Sequence, residues 1–328
     1  MKILHSADWH IGAMRDLPNY IQRQKNALDE LVQVAVNNKI DVFLVTGDLF
    51  NKNNPTEEER NLILNTLSSI LIKLPGIVVI ILEGNHDWNT QDVSMLDGLY
   101  EAYSPMGSRI HIVRNKPEKI IAKHNTFICI PCTQNLTKSG IKHTVKKLHK
   151  NSVGDTYVAM HEGLKSYSES GKQLQGESLP KLSFVKCWML GDTHKHQFLM
   201  PNAWYSGSLL QVNFGEKSIK GCILVTDGRP KFIPIKSPTR LVTVMQGEDV
   251  PDNCLAKCKI TNPLEFNKYN VKDNVVSFEQ DIREEKAIKL DDLTDITDGL
   301  PEILSSKFGY SRKQQHKAVK YIKKLVDK

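Results

Sequence analysis

Five short strings in the chain, four of them with glycine, carry side chains able to hold metal or move a proton. They are Asp8-Trp9-His10, Gly47-Asp48, Gly84-Asn85-His86-Asp87, His161-Glu162-Gly163 and Gly191-Asp192-Thr193-His194. As ligands, Asp8, His10, Asp48, Asn85, His161, Asp192 and His194 mix carboxylate, imidazole and amide oxygen. That is more than one ion needs, and it suits two ions that share a carboxylate. Oxygen-rich donors with some imidazole favour two manganese ions, with magnesium as a substitute, over a thiolate zinc site. Such a pair activates water and steadies a phosphoryl group, so hydrolysis of a phosphate ester is the expected chemistry. His86 stands apart, because a His beside a ligating Asn has to point elsewhere. It is suited to stabilising charge on a phosphate or protonating a leaving oxygen, with Asp87 to orient its ring.

These groups need rigid supports, and the apolar pattern supplies them. Runs at 2–4, 42–45, 77–82, 156–160 and 187–190 read as buried strands, each ending within a few residues of one of the five strings. Between the first two, Ile21, Leu28, Leu31, Val32 and Ala35 make a helical stripe. A second helix is expected to open with Asn54 as N-cap, Pro55 at its first position and Glu57, Glu58 and Glu59 in its first turn. It carries Leu62, Ile63, Leu67, Ile70 and Leu71 and stops at Pro75-Gly76. Strand–helix–strand alternation predicts an α/β domain, and ligands of such sheets gather at the carboxyl ends of strands. Gly47, Gly84 and Gly191 allow the sharp exits that this requires.

The 328 residues, 40% hydrophobic and 25% charged, suit one large globular domain with a smaller one. The opening MKILHSADWH has no signal-peptide core, and no apolar run is long enough to span a membrane, so a cytoplasmic protein is expected. Six scattered cysteines, Cys129 and Cys132 among them, read as reduced core thiols. The net charge of +7 leans toward an anionic partner. After Pro238 the pattern changes to short strands at 241–245, 254–260 and 275–278, a small α+β module. An acidic linker at 289–299 precedes a helix from about Ser311, with Ala318, Tyr321, Ile322, Leu325 and Val326 on an apolar stripe opposite lysines and arginines. The segment 138–150 pairs Ile141, Val145 and Leu148 with outward Lys142, Lys146, Lys147 and Lys150. It is either a solvated surface helix or one that contacts phosphate. His5 reads as a core histidine, and Trp9 and Trp88 as packing around the cleft.

In order, the strings resemble the D-x-H, G-D, G-N-H-D, H and G-H-x-H motifs of calcineurin-like metallophosphoesterases. "MKILHSADWHIG", "VTGDLF", "GNHDW" and "YSGSLLQVNFGEKSIKGCILV" are similar to SbcD-type DNA-repair nucleases. The resemblance covers residues 1–236. It implies an α/β metallophosphoesterase sandwich over 1–237, a small α+β capping domain that binds DNA over 238–288, and a linker with a C-terminal basic amphipathic helix over 289–328. It further implies one ion on Asp8, His10, Asp48 and His194, a second on Asp48, Asn85, His161 and residue 192, and His86 as the catalytic histidine. The implied activity is manganese-dependent 3′–5′ exonuclease on double-stranded DNA, with endonuclease, in repair, recombination or replication. The implied partner is an SbcC-like coiled-coil ATPase, which the terminal helix docks, with a homodimer inside a heterotetramer and no membrane. Two departures stand out: Asp192 replaces the first His of G-H-x-H, or else His194 and His196 serve in a shifted frame, and Asn51 follows "GDLF". A calcineurin-like phosphatase or nucleotide phosphodiesterase, and a scaffold that has lost its chemistry, are the rival readings.

Overall fold

The run that opens at Val78 forms a strand, Val78–Leu82, buried from its second residue on. It belongs to a six-stranded sheet in the order Arg229–Pro234, Gly221–Thr226, Lys2–Ser6, Val42–Thr46, Val78–Leu82, Ile110–Val113. The last four are parallel, and the first two form an antiparallel edge hairpin. A second six-stranded sheet runs Gln197–Met200, Ala203–Tyr205, Val185–Gly191, Thr156–His161, Asn125–Ile130, Glu118–Ala122, parallel at its centre and antiparallel at both edges. This is the arrangement in the computed structural model, which describes residues 1–90, 93–132, 136–261, 269 and 272–280.

Strand side chains alternate between two apolar layers. Ile3, Val42, Leu44, Ile80 and Leu82 pack with Phe127, Cys129, Tyr157, Ala159 and Met189, filling the space between the sheets. Their neighbours Leu4, Phe43, Val45, Val79 and Ile81 face the helices Tyr20–Asn38 and Glu57–Lys73. On the far side, Val158 and Met160 pack with Ile141 and Val145 of helix Lys138–His149. Burial on both faces is why the central strands read as continuous aliphatic runs. The result is a helix–sheet–sheet–helix sandwich.

The second helix corrects one expectation. Its N-cap is Thr56, not Asn54, and Glu57–Lys73 is the helix. Thr56 Oγ1 accepts from the Glu59 N–H at 3.3 Å, and Glu59 Oε2 accepts from the Thr56 N–H at 2.8 Å. This reciprocal box satisfies two amide donors together, and the carboxylate that closes it, Glu59, lies three residues after Thr56.

Beyond Pro238, Arg240–Met245, Cys254–Ile260 and Val275–Gln280 form a separate parallel sheet, with Val244, Cys254, Ala256, Cys258, Ile260 and Tyr269 in an apolar cluster of their own. Gln211 joins it to the sandwich, donating to the Leu241 carbonyl and accepting from the Leu241 amide, each at 2.9 Å. The linker and basic helix expected over 289–328 lie outside the described residues. All six cysteines are free thiols, and all but Cys132 are buried. No described helix is long and apolar enough to cross a membrane.

Candidate metal centre

The five strings meet where the two sheets touch at the carboxyl ends of their central strands. Two glycines make that approach possible. A Cβ on Gly47, whose φ is +85°, would enter the His161 ring, and one on Gly191 would strike the Thr46 carbonyl and come 2.8 Å from His161 Nδ1. Asp8, His10, Asp48 and Asp192 have φ of 51°, 45°, 54° and 95°. Several non-glycine residues held with left-handed φ at one spot mark conformational strain kept for function. The turns are pinned to each other: the Asp8 N–H donates to Gly47 O at 3.1 Å, and the His10 N–H to Asp48 O at 3.0 Å. Across the sheets, the Asp192 N–H donates to Asp8 Oδ1 at 3.0 Å.

Hydrogen bonds set the tautomers. His161 donates its Nδ1–H to the Thr46 carbonyl at 2.7 Å, so Nε2 is the atom turned to the cluster. It lies 2.9 Å from Asn85 Oδ1, 3.5 Å from Asp48 Oδ1 and 3.9 Å from Asp192 Oδ1. His194 donates its Nδ1–H to Glu216 Oε1 at 2.8 Å and turns Nε2 to His10 Nε2, 2.9 Å away. His10 Nε2 in turn stands 3.5 Å from Asp48 Oδ2. Asp48 therefore has one oxygen toward His10 and the other toward His161. Asp8 adjoins both sets, since it groups within 4.8 Å with His10 and His194 and also with Asp48 and His161.

The electrostatics fit bound cations. Burial pushes the Asp8 carboxyl up to about 7, and Asp8 Oδ2 accepts no hydrogen bond from the protein. Burial lowers His10 to about 3. At Asp48, burial acts upward but His161 and His10 outweigh it and hold the carboxyl below its usual range. At His161, burial acts downward but Asp48, Asp8 and Asp192 raise the imidazole well above its ordinary value. Buried carboxylates with an unpartnered oxygen, facing imidazole nitrogens, form a cage that draws positive charge and fits divalent metal.

His86 is at the rim and exposed. Its backbone N–H donates to Asp48 Oδ1 at 2.9 Å, and its ring sits edge-on to His10 with centroids 4.8 Å apart. The ring donates Nδ1–H to the Asn51 carbonyl at 2.9 Å, which leaves Nε2 unengaged. Asp87 does not orient this ring, contrary to expectation. It is fully buried and its oxygens accept from the Phe50 N–H at 3.0 Å and the Gly84 N–H at 2.9 Å, so it ties two loops together. His196 lies apart from the cluster, with Nδ1 2.9 Å from the Tyr205 carbonyl and its ring stacked on Phe232. Asp192, not His196, is the residue of its string that reaches toward His161, with Oδ1 3.9 Å from Nε2. His5 is a core residue, receiving Trp204 Nε1–H at Nδ1 (3.2 Å) and donating from Nε2 to Thr46 Oγ1 (2.9 Å).

Glu216 is the residue that the motifs missed. Besides holding His194 it accepts from the Val212 N–H at 3.1 Å and pairs with Lys220 at 3.0 Å. Lys220 also pairs with Glu169 at 2.6 Å and donates to the His194 carbonyl at 2.9 Å. A signal was present: Glu216 is the only acidic residue between Asp192 and Asp227.

The family profile described as calcineurin-like phosphoesterase matches residues 1–196. The chain is similar to the SbcD subunit of the SbcCD nuclease of Staphylococcus saprophyticus, 28% identical over 75% of this chain and 72% of that one. The protein of the same name from Staphylococcus epidermidis is 26% identical over 80% of this chain and 76% of its own length. The one from Bacillus subtilis is 24% identical over 70% and 67%.

Proposed function

The chain belongs to the calcineurin-like phosphoesterase family, and on that premise we propose that it is the cytoplasmic nuclease subunit of an SbcC/SbcD-like complex. The proposed reaction is hydrolysis of DNA phosphodiesters, as a 3′–5′ exonuclease on double-stranded ends and as an endonuclease, in repair, recombination or replication. The observation that carries this reading is a buried donor cage with one exposed imidazole, anchored on backbone, at its rim.

Two manganese ions, with magnesium as a substitute, are the proposed cofactors. Asp8, His10, Asp48 and His194 would hold one, and Asp48, Asn85, His161 and Asp192 the other, a division supported by the two-sided placement of Asp48. Bound there, divalent ions supply Lewis acidity toward a phosphoryl group and make water a competent nucleophile at neutral pH. Thr46 and Glu216 orient His161 and His194, so that each presents Nε2 without rearrangement. The Asn51 carbonyl fixes the His86 ring through Nδ1–H, so that the doubly protonated ring would carry on Nε2 a second proton to give to the departing 3′-oxygen. The small sheet is the proposed capping domain, spanning 238–288, and residues 289–328 the proposed docking segment for an SbcC-like ATPase. A homodimer within the heterotetramer completes the proposed assembly.

The test is degradation of end-labelled duplex DNA with manganese, with and without the ATPase, by wild type and His86→Ser. Loss of roughly a hundredfold or more in the variant is expected, since positioned proton transfer contributes about that much. Equal rates would remove His86 from the mechanism. Turnover of a small chromogenic diester with no attack on duplex DNA would replace the nuclease with a small-molecule phosphodiesterase.

A further inference from the structure

A groove of about 670 Å³ lies beside the loop that carries Asp192 and His194. Its walls include Lys138, Lys142, Lys165, Lys181, Tyr167 and Phe198. All four lysines are exposed, and Lys142, Lys165 and Lys181 form no ion pair among the described residues. Among the described residues, Lys138 Nζ donates only to Ser178 Oγ, at 3.3 Å. Among the described lining residues Glu177 is the sole acidic one, so the groove is cationic.

Both rings are open to solvent, while the Phe198 ring and the Tyr167 backbone are braced. Phe198 is 53% exposed, yet its ring is braced edge-on by His196 at 5.5 Å and Trp204 at 6.1 Å. Tyr167 is 52% exposed, and Gln197 clamps its backbone on both sides. The Tyr167 N–H donates to Gln197 Oε1 at 2.9 Å, and Gln197 Nε2 donates to the Tyr167 carbonyl at 2.8 Å. Large rings left open on fixed supports are surfaces for a flat partner. Lysines alone would suit any polyanion. Lysines beside open ring faces suit a nucleic-acid strand, whose phosphates take the charge while its bases stack.

The groove also adjoins the loop of the metal ligands. Ser166, on its wall, has Oγ 3.5 Å from Thr193 Oγ1, and Thr193 lies between Asp192 and His194. Gln197, which fixes Tyr167, is three residues beyond His194. The helix Lys138–His149 is divided by this groove: Lys138 and Lys142 line it, whereas Lys146 and Lys147 do not.

We propose that this groove binds a single DNA strand, with the four lysines on phosphates and Tyr167 and Phe198 stacking on bases, and guides it along the loop of the metal ligands. The proposal takes its substrate from the nuclease reading, and the test separates the two. The full chain, in chelator so that nothing is cut, is titrated with fluorescein-labelled oligothymidylate and followed by anisotropy over a range of salt. Replacing the four lysines by Gln should flatten the salt dependence by about 0.7 in log–log slope for each phosphate no longer neutralised. Phe198→Leu and Tyr167→Leu should each weaken binding by about tenfold, with Tyr167→Phe retaining it. Lys146→Gln with Lys147→Gln should leave binding unchanged. The lysine variants alter only exposed side chains, so their folding is not at risk. Wild-type affinity in both the lysine and the ring variants would overturn the proposal. So would equal affinity for polyglutamate of matched charge, which would mark a protein-binding or merely cationic surface. A chain that binds through these residues but cuts no DNA supports the groove and sinks only the nuclease reading. One that cuts DNA with all these substitutions leaving binding intact sinks only the groove.

Discussion

Two histidines of the metal centre, His161 and His194, are set by what their second nitrogen does. His194 illustrates this, because its Nδ1 proton is fixed by a buried Glu216 that is itself braced by Lys220. Glu216→Gln should leave the fold intact and weaken manganese binding by roughly 10–100-fold, as loss of an orienting carboxylate does. Calorimetric titration checks it, and unchanged affinity would reduce Glu216 to a packing residue. His5 behaves oppositely. Burial, with a smaller push from His196, lowers its pKa from 6.5 to about 3. Between those values the unfolded chain binds a proton that the folded one does not, so this residue adds stability above 6.5 that is lost as pH falls toward 3. His5→Gln should therefore be less stable at pH 7 but lose less of its stability between pH 6.5 and 4, read from melting temperatures in chelator. Parallel losses in the two proteins would show that His5 titrates normally. Asp87 and Asn51 show why such roles are hard to read in advance. The partner of the His86 ring is a backbone carbonyl, and an inventory of side chains does not contain it.

At the scale of elements, the site depends on how closely two strand ends can pass. Gly191 closes one strand, and its missing Cβ is the space occupied by Thr46 O and the His161 ring. Gly191→Ala should destabilise the protein by about 1–3 kcal/mol through overpacking and weaken metal binding by displacing His161. Gly98→Ala is the control, since a Cβ there meets nothing within 4 Å. It should be neutral, or stabilise by about 0.5–1 kcal/mol as a helix substitution does. Equal melting temperatures for the two variants would mean that the sheets can separate without harm. The strands were legible because burial on both faces leaves a continuous aliphatic signature. The start of the helix Glu57–Lys73 was not, because Asn54-Pro55 and Thr56 with Glu59 both look like caps and only reciprocal hydrogen bonding separates them.

For the whole molecule, the sandwich and its seven candidate ligands were legible because each ligand sits within a few residues of a strand end. Convergence then follows from strand order, with both sheets offering carboxyl ends to one edge. The braces were marked only by the isolation of Glu216 among non-acidic residues, because it is 22 residues from His194 and has no periodic neighbour. The groove beside the site was hidden for a similar reason, since its lysines and rings come from three separate stretches of chain. The net charge of +7 pointed to an anionic partner but not to a face of the protein. All of this chemistry presupposes two cations flanking Asp48. The direct measurement is anomalous diffraction from crystals grown with manganese. Two peaks are expected, one near Asp8, His10 and His194, the other near Asn85, His161 and Asp192. A single peak, or none inside this cage, would contradict the two-ion site.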